Sequence, residues 1–146
     1  MNTTFSFLAT PTNIDLPLGI TVKLNQVCVF DTESLVAPKQ IEFDIDDEIE
    51  NVQHVVSITL KNKTTTHTCV DENNNILSDS LIEISQIKFD DVEIDQLFFD
   101  RCKYFHSSNQ INGTIINDEF YGLMGCNGTV EFCFTTPSYI WMLENM

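Results

Sequence analysis

Carboxylates are the most abundant chemically capable side chains in this chain. Asp90, Asp91, Glu93 and Asp95 follow one another closely, and alternate oxygen-bearing side chains can converge on a hard cation such as calcium. This group is the candidate metal site for a structural calcium ion, and no other cofactor is expected. A second acidic cluster comprises Asp44, Asp46, Asp47, Glu48 and Glu50. A third oxygen-rich run, Asp71-x-Asn73-x-Asn75, has the alternation that opens a calcium-binding helix–loop–helix. Ile76 stands at its glycine position and Ile82 at its bidentate acid position, so the run predicts a turn. A plainer account competes with metal binding throughout. Alternate carboxylates on a strand make its solvated face, and charged edges oppose strand-to-strand aggregation.

Other reactive arrangements are missing from the sequence. His54, His67 and His106 are too widely spaced for a metal-ligand pattern. The run Gly122-Leu123-Met124-Gly125-Cys126-Asn127-Gly128 lacks the lysine and following helix of a phosphate cradle and reads as a flexible connection. Hydrolysis by paired carboxylates needs two acids at a set separation across a cleft, which no spacing here specifies. No catalytic residue is assigned, and the chain reads as a binding or assembly module. The cysteines (Cys28, Cys69, Cys102, Cys126 and Cys133) are odd in number and contain no C-x-x-C pair. Cys28 and Cys133 lie in apolar runs and are expected to be buried as small hydrophobes. Tyr104 and Tyr121 are candidate platforms for a sugar ring, one face of which is apolar.

Charge narrows the partners further. Twenty-two acidic residues against seven basic ones give a net charge of −15, which repels nucleic-acid phosphates and anionic lipid alike. No apolar run approaches the roughly 20 residues that cross a bilayer. The first residues have no basic region, and Pro11 and Asp15 interrupt any apolar stretch, so no signal peptide is expected. Sequons at Asn2, Asn62, Asn112 and Asn127 are then coincidental.

The elements that must position these residues are strands. At 146 residues the chain suits one core. Residues 19–25, 40–46, 54–61 and 128–135 alternate apolar and polar side chains with the period of two of a half-buried strand. Val27-Cys28-Val29-Phe30 reads as a more buried strand. Leu81–Phe89 changes apolar phase across Ser85-Gln86, which predicts a β-bulge. Asp90-Asp91 turns this strand into the short partner Val92-Glu93-Ile94. Residues 101–117 are polar enough to be the longest loop. After Pro137, residues 138–144 form a short helical turn that Ser138 can cap. Residues 1–19, broken by Pro11, Pro17 and Gly19, predict an irregular N-terminal arm ahead of a domain over 20–146. The fold class is all-β: an antiparallel two-sheet β-sandwich, jelly-roll-like, with eleven Phe filling the space between sheets.

The path from Ile58-Thr59-Leu60-Lys61-Asn62-Lys63 through the Asp71–Asn75 turn to Leu81–Phe89 and Val92-Glu93-Ile94 resembles the jelly-roll of calcium-dependent carbohydrate-binding modules. The tail, Gly128-Thr129-Val130-Glu131-Phe132 to Pro137 and Tyr139-Ile140-Trp141-Met142-Leu143-Glu144-Asn145, resembles small virion proteins of tailed bacteriophages. Together these cover residues 54–146. The phage resemblance implies a structural protein, a capsid decoration protein or tail-fibre accessory. It would be made in the host cytoplasm, reside in the virion and contact other virion subunits as a homo-oligomer or bound to the capsid. Phe5, Phe7 and Leu8 of the arm and Tyr139, Trp141 and Met142 of the tail would make those contacts. The module resemblance implies the alternative, calcium-dependent recognition of host-surface glycans.

Overall fold

The computed structural model describes residues 2–106 and 115–146. In chain order its first strands are β1 (Asn2–Pro11), β2 (Leu18–Leu24), β3 (Val27–Leu35), β4 (Lys39–Asp46), β5 (Val52–Lys61), β6 (Thr68–Val70) and β7 (Ile76–Asp79). They are followed by β8 (Ile82–Phe89), β9 (Val92–Glu93), helix α1 (Asp95–Arg101), β10 (Cys102–His106), β11 (Ile116–Asp118), β12 (Leu123–Met124), β13 (Gly128–Thr136) and helix α2 (Ser138–Asn145). One sheet runs β12-β8-β1-β4, with β9 beside β8, and the other runs β11-β10-β13-β5-β2-β3. All pairings in both sheets are antiparallel. The molecule is the expected two-sheet sandwich, and a separate hairpin, β6-β7, projects from it.

Alternation decides which side chains meet between the sheets. β1 contributes Phe5, Phe7 and Ala9, and β8 contributes Ile82, Ile84, Ile87 and Phe89. Facing them are Val56, Ile58 and Leu60 of β5 and Val130, Phe132 and Phe134 of β13, all essentially buried. Phe rings bridge the layers, with Phe5 6.1 Å from Phe132 and Phe89 5.0 Å from Phe134. Edge-on and offset contacts of this kind add about 0.5–1.5 kcal/mol per pair beyond simple burial. The phase shift in β8 is a bulge. Ser6 pairs with Lys88 but Leu8 with Ser85, and Gln86 takes a positive φ of 50°. The extra residue turns Ile87 and Phe89 back toward the core.

Several local expectations are corrected. Within the segment expected to be an arm, Asn2–Pro11 is a ten-residue strand paired with β4 on one side and β8 on the other. Its core positions begin with the small polar Thr3, and both its partners are distant in sequence, so tertiary pairing outweighed its weak local pattern. Val27-Cys28-Val29-Phe30 lies on the edge strand β3, where Val27, Cys28 and Val29 are exposed. Cys133 also points outward, because β13 buries Val130, Phe132 and Phe134. Of the loop expected over 101–117, Cys102–His106 forms β10, which buries Cys102 and Tyr104, and Ile116 and Asn117 begin β11, while residues 107–114 lie outside the described residues. α1 went unrecognised since its seven residues bury only Phe98 and so show no sustained helical period.

The glycine-rich run is also more than a flexible connection. Within it, β12 pairs with β8 and buries Met124. Gly128 sits where a Cβ would come within 2.4 Å of the Phe105 carbonyl oxygen, so only glycine lets β13 approach β10 there.

Candidate functional site

A concave surface lies along α2, and three distant segments build it. Trp141 anchors the helix, its indole 5.4 Å from Phe132 and edge-on to it, and 6.4 Å from Phe89. The helix N-terminus is fixed by Asp47, from the β4–β5 connection. Its carboxylate accepts hydrogen bonds from the Ser138 amide at 2.7 Å, the Ser138 hydroxyl at 2.8 Å and the Thr3 hydroxyl at 2.5 Å. Ser138 was expected to cap its own helix, but no side-chain cap forms and Pro137 occupies the N-cap. A carboxylate at this end meets unpaired amides and the positive end of the helix dipole. The same connection is tied to the end of β13, where the Thr136 hydroxyl donates to the Ile49 carbonyl at 2.7 Å and the Asn51 amide to the Thr136 carbonyl at 2.8 Å.

The opposite wall is the β8–β9 hairpin, continued into α1. Asp90 turns the hairpin with φ at 52°. It exchanges bonds with Thr4, accepting the Thr4 amide on its carboxylate at 3.0 Å and donating its own amide to the Thr4 carbonyl at 2.7 Å. Asp95 accepts the amide of Ile87 at 2.6 Å, satisfying a donor displaced by the bulge.

Two hollows open along this helix and share Val92 and Met142. The one beside the N-terminal half of α2 encloses about 550 Å³, with Tyr139 on its wall and Asp47, Glu48, Glu50 and Asp90 around it. The one beside the C-terminal half encloses about 570 Å³. Its floor includes Ile94, Leu97, Phe99 and Met142, and its rim Glu93, Asp95 and Asp100. Both volumes lie in the roughly 300–1,000 Å³ range of ligand sites.

The sequence candidates scatter around this geometry. Asp90, Asp91, Glu93 and Asp95 are not gathered into one ligand set among the described residues. Asp90 and Asp95 spend a carboxylate oxygen each on backbone amides, and among the described residues no three acids, histidines or cysteines converge as ligands. The residues present therefore do not fit the ion, which needs six to eight oxygens around one centre. The Asp71 run is a turn, as expected, with its carboxylate occupied by the amides of Asn73 and Asn75.

Tyr104 is not a sugar platform. It is buried, its hydroxyl donates to the Cys126 carbonyl and accepts the Cys126 amide at 3.1 Å, and burial pushes its pKa up to about 12. Tyr121 is exposed and donates to Glu119. The hollow beside it holds only about 90 Å³, below the size of a ligand pocket. Phe5, Phe7 and Trp141 are core side chains, which leaves them no surface for docking on virion subunits, while Leu8 is half-buried on β1. Tyr139 and Met142 do reach a surface, as walls of the hollows. Sequence reasoning missed Asp47 as the anchor of α2, and no local signal links residues 91 positions apart.

No family model matches the chain, and neither does any curated protein. Two solved structures overlap it. A vCBM60 in complex with galactobiose is 11% identical, with 88% of this chain and 96% of that one covered and a TM-score of 0.49. The selenomethionine form of vCBM60, described as linking two families of calcium-dependent carbohydrate binding modules by circular permutation, is 10% identical. It covers 90% of each chain at a TM-score of 0.47. Overlaps this loose say nothing about ligands. The sandwich assignment stands on the strand pairing itself.

Proposed function

We propose that this chain is a non-catalytic carbohydrate-binding module whose sugar site is the hollow between α2, the β4–β5 connection and the β8–β9 hairpin. The observation that carries the proposal is Tyr139, 60% exposed on the wall of a 550 Å³ hollow that four carboxylates, Asp47, Glu48, Glu50 and Asp90, line together with Thr3 and Ser138. A pyranose offers an apolar C–H face and a rim of hydroxyl donors. An exposed aromatic ring suits the first, and carboxylates, which are pure acceptors, suit the second. Bonds to ionised acceptors are roughly twice as strong as neutral ones. Asp47 is committed to Ser138 and Thr3, so it shapes the hollow, while Glu50 and the remaining oxygen of Asp90 can meet the ligand.

The test is isothermal titration calorimetry against a panel of neutral oligosaccharides, with Tyr139→Ala and Glu50→Gln as variants. Both side chains are exposed, so their removal is expected to change folding stability by no more than about 0.5 kcal/mol. Each variant is expected to bind at least tenfold more weakly. An empty panel, or undiminished binding by Tyr139→Ala, would overturn the reading.

A further inference from the structure

The second hollow, at the C-terminal half of α2, has a different character. Its floor, from Ile94, Leu97, Phe99 and Met142, is aliphatic and aromatic without hydroxyls, and Val92 (54% exposed) and Met146 (89% exposed) extend it to the surface. Such a floor can hold two or three apolar side chains. Its rim is of one sign. Glu93, Asp95 and Asp100 line it, the adjoining hollow adds Glu48, Glu50 and Asp90, and among the described residues no Lys or Arg lines either. The nearby Arg101 instead turns its guanidinium to the Asn145 carbonyl at the end of α2, at 3.3 Å.

The shape is fixed before any partner arrives. α1 is tied to the bulge of β8 by Asp95, Phe98 packs 4.5 Å from Phe132, and Trp141 pins α2 to the core. A preformed apolar trough costs little ordering on binding. An acidic rim around it raises the encounter rate of cationic partners and repels anionic ones.

We infer that this trough is a docking site for a protein segment that presents apolar side chains flanked by Lys and Arg. The segment lays its apolar residues on Val92, Leu97, Phe99 and Met142, while its cations meet Glu93 and Asp100. This surface shares Val92 and Met142 with the Tyr139 hollow but is the more apolar of the two, and it is occupied by protein rather than by sugar. It does not depend on the carbohydrate reading.

The experiment is selection from a random peptide display library on the intact chain, followed by fluorescence polarisation with the enriched peptides. Selected sequences are expected to pair apolar residues with Lys or Arg and to bind at least tenfold more weakly in 500 mM than in 50 mM salt, since the screening length contracts over that range. Val92→Asn removes apolar surface without altering charge, and is expected to weaken binding about tenfold, the equivalent of one buried aliphatic side chain. Glu93→Gln with Asp100→Asn is expected to weaken it and flatten the salt dependence. Tyr139→Ala is expected to leave it unchanged.

Neutral or acidic selected peptides would overturn the proposal, as would basic peptides that bind Val92→Asn at full strength and so follow net charge alone. A dimer of the chain that Val92→Asn dissociates would assign the trough to a second copy instead, and would overturn it too. Failure of the sugar panel leaves all of these readings intact.

Discussion

Asp47 is the residue on which the architecture of both hollows turns, and Asp47→Ala tests that directly. The substitution deletes an acceptor for the Ser138 amide, the Ser138 hydroxyl and the Thr3 hydroxyl at 2.7, 2.8 and 2.5 Å. Ser138 and Thr3 are 2% and 7% exposed, so water cannot readily replace the carboxylate. Hydrogen bonds to a charged group contribute about 1.5–3 kcal/mol each, but two of these share one oxygen and are not additive, so a net loss of about 3 kcal/mol is expected. For a chain of this length that corresponds to a fall in Tm of roughly 9 °C. Asp47→Asn keeps one good acceptor and is expected to lose about half as much.

Thermal and urea unfolding measure the loss, and the only tryptophan in the chain localises it. Trp141 is 7% exposed on the helix that Asp47 holds. Its emission is expected to shift to the red in Asp47→Ala below the unfolding transition, as the first turn of α2 loosens. A double-mutant cycle with Ser138→Ala is expected to show a coupling of about 1 kcal/mol or more. Stability within about 0.5 kcal/mol of wild type, with unchanged Trp141 emission, would refute the clamp.

Three further outcomes follow from particular side chains. His54 is buried, its Nδ1 lies 2.9 Å from the Asn25 side-chain Nδ2, and its Nε2 has no partner among the described residues. Burial pushes its pKa below the ordinary 6.5, against a weaker opposing pull from Asp47 and Asp46. The unfolded chain therefore takes up the proton first, and stability falls as pH drops below about 6.5. His54→Leu is expected to flatten that fall between pH 7 and 5, and equal slopes in urea unfolding would contradict it. Ellman's reagent at pH 8 is expected to label Cys28, Cys69 and Cys133 rapidly in the native state. Cys102, buried and with its pKa pushed up to about 12, is expected to react only on unfolding. Peptide mapping that finds Cys102 among the fast thiols would sink this assignment. Millimolar calcium against chelator is expected to move Tm by less than about 1 °C. Saturating a real site at a hundred times its Kd would add about 2.7 kcal/mol, and a shift of several degrees would show that the acidic hairpin does gather an ion.

The sequence by itself determined the class of the fold, the inward faces of most strands and the bulge in β8. These depend on a period of two and on phase, which are local properties of the chain. Ile82, Ile84, Ile87 and Phe89 could be assigned to the core from their spacing alone, and the Asp71 turn from its Asx chemistry. Only the tertiary structure decided what was central and what was at an edge. Phe5 and Phe7 lie in a polar-looking segment yet occupy the middle of a sheet, whereas Val27 and Val29 lie in an apolar run yet fall on an edge strand. Strand order is set by pairings between residues tens of positions apart, and alternation reveals that a strand has two faces but not how many neighbours it has. The carboxylates show the same division. Their abundance was plain, but Asp47 became a helix anchor, Asp95 a partner for a bulge amide, and Glu50 and Asp100 rims of hollows because of where the folded chain brought distant segments together.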